Sequence, residues 1–134
     1  MIKQAFIGLI LFLFSVPVFS SEYEFSGTHY IASYVDCDHQ ALCDLQTLRD
    51  VMIQGVEASG ATLLNLTEHV FLPDSITMVL LLSESHASIH TYPEHDSCYV
   101  DLFTCGDSCD YRKFEEVLQK YLCPKSIEID VLRR

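Results

Sequence analysis

Between Ile76 and Cys105 the sequence alternates extended runs with turn formers, and this rhythm limits the possible folds more than any other feature of the chain. Ile76–Leu82 (ITMVLLL) is uniformly apolar, as a central buried strand would be. His86–Tyr92 alternates instead: His86, Ser88, His90 and Tyr92 share one face, and Ala87, Ile89 and Thr91 share the other. A turn over Pro93–Asp96 leads to Cys98–Cys105, where Tyr99, Asp101, Phe103 and Cys105 fall on one side. Upstream, Ala61–Phe71 is a further strand candidate, set off from Ile76 by the turn-forming Leu72-Pro73-Asp74-Ser75.

Helical spacing flanks this block. Leu45, Leu48, Met52 and Val56 recur at helical intervals between Asp44 and Ser59, with Asp44 as N-cap and Gly60 just past the end. A second helix runs from a cap at Asp110 to about Leu122, with Tyr111, Phe114, Val117, Leu118 and Tyr121 inward and Pro124 stopping it. His29–Val35 and Ser126–Leu132 supply the first and last strands, while Asp36–Ala41 is polar and turn-like and Gly106–Cys109 is a loop. The order β-α-β-β-β-β-α-β predicts an α+β domain with two helices on one face of an antiparallel sheet. A chain of 134 residues has room for one such domain.

Residues 1–20 carry Lys3, an apolar run from Ala5 to Phe14, Pro17, and small residues Val18 and Ser20 before Ser21. That is the layout of a secretory signal peptide, or alternatively an N-terminal anchor, and it falls short of a comfortable span of about 20 apolar residues. It predicts export to a periplasmic or extracellular space, or attachment to a membrane, and leaves residues 21–134 as the folded domain. Cys37, Cys43, Cys98, Cys105, Cys109 and Cys123 then suggest disulfides, whose connectivity a sequence does not reveal. The net charge of −11 disfavours a nucleic-acid partner and is compatible with cationic small molecules.

Common chemistries fit the central block poorly. His86 and His90 would suit a metal on a helix, but on a strand they stand about 13 Å apart. Cys98, Cys105 and Cys109 lack paired C-x-x-C spacing, so no metal site is predicted. Ser85 lacks the G-x-S-x-G elbow of a hydrolase, and a Cys105–His90 pair has no third residue to orient it.

Taken together, however, Glu84–Glu94 (ESHASIHTYPE) and Val100–Asp110 (VDLFTCGDSCD) closely resemble the core motifs of the bacterial and archaeal S-adenosylmethionine decarboxylases, a pyruvoyl-dependent family made as proenzymes. Gly27-Thr28-His29, Cys37-Asp38 and Gly60-Ala61-Thr62 extend the resemblance over nearly all of residues 27–132. The resemblance implies an α/β sandwich and a chain that cuts itself between Glu84 and Ser85, into 21–84 (β chain) and 85–134 (α chain). The Ser85 hydroxyl would attack the preceding carbonyl. The resulting ester would eliminate to dehydroalanine, and hydrolysis would leave a pyruvoyl group at residue 85. That group would form a Schiff base with the substrate amine, replacing pyridoxal phosphate, with no metal.

By the same resemblance His90 is the processing base, Thr77 supports processing, and Cys105 donates the proton to the substrate carbon. A thiol suits that step because neighbours can tune its pKa. Phe71 and Tyr92 would enclose the adenine and Glu94 would take the ribose hydroxyls. Tyr92 stands where the family usually has Trp, Thr77 replaces a Ser, and Ser75 stands where Gly is common. Parity adds one inference from the residues themselves. Ser85 and His90 are five residues apart and cannot share a face of one regular strand, so the 84–85 bond belongs in a bend before it. Strain in such a bend pushes an amide toward an ester.

The implied product is decarboxylated S-adenosylmethionine, the aminopropyl donor for spermidine, made by a homodimer of cleaved protomers. The family expectation of a cytoplasmic enzyme conflicts with the leader. The departures at 75, 77 and 92 together with the leader motivate one alternative, a pyruvoyl decarboxylase of arginine or ornithine, and a non-catalytic regulatory paralogue is another.

Overall fold

The computed structural model describes residues 25–134, so the expected leader over residues 1–20 lies outside the described residues. The chain runs β1 (Gly27–Val35), α1 (His39–Cys43), α2 (Leu45–Ser59), β2 (Leu63–Phe71), β3 (Ser75–Leu82), β4 (Ser85–Tyr92), a 3-10 turn at Pro93–His95, β5 (Ser97–Cys105), α3 (Tyr111–Leu122) and β6 (Ser126–Arg133). The strands form one six-stranded sheet in the order β2-β3-β4-β5-β1-β6, with every neighbouring pair antiparallel. Among the described residues, no helix is long and apolar enough to cross a membrane.

The helices lie on one face because the strand alternation puts the apolar side chains there. Tyr30, Ala32 and Tyr34 of β1, Met78, Leu80 and Leu82 of β3, Ala87 and Ile89 of β4, and Val100 and Leu102 of β5 are all buried. Leu48, Met52 and Val56 of α2 and Phe114, Leu118 and Leu122 of α3 complete that core. The two helices approach closely at Gly55, where a Cβ would lie 2.9 Å from both Leu118 Cδ1 and Phe114 Cδ2. Both caps expected from the sequence are made: Thr47 N–H donates to Asp44 Oδ1 and Arg112 N–H to Asp110 Oδ1, each at 3.1 Å. Gly60 ends α2 in the left-handed conformation, with φ +92°.

Three details differ from the sequence reading. The stretch expected to be turn-like from Asp36 to Ala41 contains the start of a third helix, α1, capped by Asp38 accepting from Ala41 N–H at 3.0 Å. One turn of helix is too short to show a period. β3 is not covered on both sides, because Val79 and Leu81 are 39% and 52% exposed on the face away from the helices. And all six cysteines are free, so no disulfide staples the domain.

Candidate active site

The β3–β4 connection is a two-residue hairpin turn, Ser83-Glu84, and the predicted cleavage point is its exit. Three hydrogen bonds pin this turn. Ser83 N–H donates to the Thr62 carbonyl (2.9 Å), Thr62 N–H donates to Glu84 Oε2 (2.8 Å), and Cys105 N–H donates to the Glu84 carbonyl oxygen (2.9 Å). The last of these polarises the carbonyl that Ser85 would attack. Ser85 itself has φ +153°, a backbone region that costs a residue with a Cβ about 1–3 kcal/mol. Its Oγ lies 3.1 Å from His86 Nδ1. The expected strained bend before the strand is therefore present.

Register brings Cys105 to this end of the sheet. Ser85 pairs with Thr104, and Cys105, one residue on, turns half-buried onto the open face. Burial pushes the nearby Cys109 thiol up, which holds it protonated at neutral pH.

The other predicted residues gather at the opposite end of β4. Thr77 pairs with His90 across β3–β4, and Thr77 Oγ1 and His90 Nδ1 are hydrogen-bonded. The His90 ring lies edge-on 4.5 Å from Tyr92 and 5.9 Å from Phe71, measured between centroids. Tyr92 in turn lies 5.5 Å from Tyr99. Glu94 follows in the 3-10 turn and, with Tyr92, Tyr99 and Glu128, lines a cavity of about 500 Å³. Five residues of extended chain put Ser85 and His90 about 17 Å apart. The predicted residues of one chain thus fall in two groups, Glu84, Ser85 and Cys105 at the hairpin-turn end of β4 and Phe71, Thr77, His90, Tyr92 and Glu94 at the other.

Residues to which the sequence reading gave no role lie between the halves. Ser88 Oγ donates to Asp101 Oδ2 at 3.2 Å, and Asp101 Oδ1 is 3.4 Å from His29 Nε2, a buried nitrogen that makes no aligned hydrogen bond. The His29 ring stands 6.4 Å from that of His86. The alternation placed His86, Ser88 and Asp101 on the open face, but only the register between strands shows that they meet.

Comparison with known proteins shows which family the chain belongs to. The family model described as S-adenosylmethionine decarboxylase matches residues 28–134. An S-adenosylmethionine decarboxylase proenzyme of Thermotoga maritima is 40% identical over 103 residues, which is 77% of this chain and 79% of that protein. One from Prochlorococcus marinus is 42% identical over 108 residues, 81% of this chain and 86% of the relative. One from Methanococcus maripaludis is 38% identical over 108 residues, covering 81% and 88%. The crystal structure of the adenosylmethionine decarboxylase from Aquifex aeolicus superposes with a TM-score of 0.75 at 30% identity, covering 81% of this chain and 89% of that one. An α+β domain with a six-stranded antiparallel sheet covered by helices on one face defines the class of the fold. This chain is a member of the S-adenosylmethionine decarboxylase family.

Proposed function

We propose that the chain is a self-processing, pyruvoyl-dependent decarboxylase of S-adenosylmethionine. One observation carries the processing step: the Glu84 carbonyl accepts the Cys105 N–H at 2.9 Å while Ser85 is held at φ +153°. Attack by Ser85 Oγ on the Glu84 carbonyl carbon forms a C–O bond and places negative charge on the oxygen that the Cys105 amide already faces. His86 Nδ1, 3.1 Å from Oγ, takes the hydroxyl proton, and collapse breaks the Glu84–Ser85 C–N bond as that proton passes to the departing Ser85 nitrogen. Loss of the Ser85 α-proton then expels the Glu84 carboxylate. Water adds to the dehydroalanine, ammonia leaves, and a ketone remains at residue 85.

These residues fit a pyruvoyl group. The ketone supplies an electron sink for the pair released as carbon dioxide departs. Cys105, on the same sheet end, holds the proton that returns to the substrate carbon. Tyr92 and Phe71 offer ring faces to the adenine, and Glu94 offers a carboxylate to the ribose hydroxyls.

His90 is too far along β4 to serve the Ser85 of its own chain, which supports a homodimer. The open sheet face exposes Leu81 and Tyr99, at 52% and 57%, beside Val79. Two such faces packed about a twofold axis would lay one protomer's Thr77–His90 end over its partner's cleavage end. The base for ester elimination then comes from the second copy.

The relatives reported above are all named for S-adenosylmethionine, which supports that substrate over arginine or ornithine. Retention of Glu84, Ser85, His90 and Cys105 supports an enzyme over a regulatory paralogue. Two measurements test the proposal together. The purified chain should run as two fragments, the one beginning at residue 85 blocked to Edman degradation, and should release labelled carbon dioxide from carboxyl-labelled S-adenosylmethionine. A single uncut band ends the pyruvoyl reading, and cutting with release only from arginine or ornithine ends the substrate assignment.

A further inference from the structure

On the far side of the domain from the Glu84 turn, α1 and two loops bring a second set of chemical groups together. His39 and Cys43 are four residues apart on α1 and therefore share one helix face. Asp74, in the β2–β3 turn, faces them. One donor atom from each of the three lies within 4.8 Å of the other two. An imidazole, a thiol and a carboxylate at that spacing are three protein ligands of different type around a common point.

The imidazole is also held in place. His39 Nδ1 lies 2.8 Å from Asp96 Oδ1, which leaves Nε2 free to bind. Asp96 is itself fixed, since its N–H donates to the Pro93 carbonyl at 3.0 Å and its carbonyl accepts from Cys37 N–H at 2.7 Å. A carboxylate on the outer nitrogen of a histidine is the usual outer support of a metal-binding imidazole. The His39 side chain is 58% exposed, so a cation has a way in. The charge of −11 draws it there.

We propose that His39, Cys43 and Asp74 bind one divalent cation of the zinc class, with Asp96 orienting the imidazole and water completing a tetrahedral shell. The mixed nitrogen, sulfur and oxygen set favours zinc over magnesium or calcium, which take oxygen ligands. The site takes no part in the decarboxylation chemistry. Its place in the fold gives it a mechanical role. Asp74 comes three residues after Phe71 and Asp96 two residues after Glu94, so the cation fastens α1 to the β2–β3 turn, and the His39–Asp96 hydrogen bond ties the turn after Glu94 to the same imidazole.

The untagged, metal-stripped full chain, titrated with zinc in a calorimeter and with cobalt in a spectrophotometer, tests this. We expect one equivalent of zinc per chain and a thiolate-to-cobalt charge-transfer band. Cys43→Ser should remove the band and the stoichiometric zinc binding while leaving the metal-free melting temperature unchanged. Asp96→Asn, which touches no cation, should weaken zinc about 10–100-fold. His39→Gln, at an exposed position, repeats the test independently of the thiol. Failure of the parent chain to bind zinc, or undiminished binding in both Cys43→Ser and His39→Gln, overturns the proposal. Neither readout depends on chain cleavage or on decarboxylase activity.

Discussion

The backbone at Ser85 offers a direct measure of stored strain. At φ +153° a residue with a Cβ pays about 1–3 kcal/mol, whereas glycine occupies the region freely. Ser85→Ala and Ser85→Gly both lack the hydroxyl, so both remain uncut, and both lose the same contact with His86 Nδ1. Their difference isolates the backbone. Glycine gives back roughly 0.5–1 kcal/mol through the greater freedom of its unfolded chain. The net expectation is therefore that Ser85→Gly is more stable than Ser85→Ala by about 0.5–2 kcal/mol, a few degrees in melting temperature. Urea unfolding of the two uncut variants at equal protein concentration reads this difference directly. An alanine variant as stable as the glycine variant, or more so, would refute the idea that conformational strain helps drive the amide toward the ester.

Four further outcomes follow. Cys105→Ala should still be cut, because the hydrogen bond to the Glu84 carbonyl comes from the backbone, yet its turnover should fall about 10²–10⁴-fold by carbon dioxide release. Tyr92→Ala, losing one ring face for the adenine, should raise KM about 5–100-fold with a smaller change in kcat, read from steady-state kinetics. Gly55→Ala should destabilise by up to about 2 kcal/mol in urea, since overpacking against Leu118 and Phe114 costs about 1–3 kcal/mol against about 1 kcal/mol gained in helix propensity. The Arg49 guanidinium holds the Glu68 carboxyl below its ordinary range. This pair therefore stabilises the fold above the unfolded carboxylate pKa and is lost as pH falls through the lowered one. Glu68→Gln should cost stability at neutral pH and little once the carboxylates are protonated, which melting curves across that range will show.

Much of the sheet was legible because period and parity are local properties. The alternation in His86–Tyr92 and Cys98–Cys105 reports which side chains share a face, and the structure keeps both assignments. Parity also said that Ser85 and His90 do not share a face of one strand, but not that about 17 Å of extended chain divides them. What the sequence could not carry is register. That Cys105 N–H meets the Glu84 carbonyl, or that His29 sits against Asp101, depends on how strands slide against one another. α1 escaped notice because one turn has no period to detect. β3 misled for a different reason: a strand apolar on both sides can mean two covered faces, or one covered face and one left exposed, as Val79 and Leu81 are.

The sheet order also bears on what the proposed cut between Glu84 and Ser85 would do to the molecule. β1, β2 and β3 precede the cut and β4, β5 and β6 follow it, but in space β1 lies between β5 and β6. The two fragments are therefore interlaced, not merely side by side, and neither can slide off without the sheet being dismantled. Before the cut, refolding is a single-chain event that does not depend on concentration. Afterwards two separate polypeptides must find each other and rethread the same order, one of them starting with a modified residue. If the chain is cut as proposed, maturation is a ratchet for folding as well as for chemistry: heat-denatured mature protein should regain its structure poorly and in proportion to its concentration, while an uncut variant refolds as one chain.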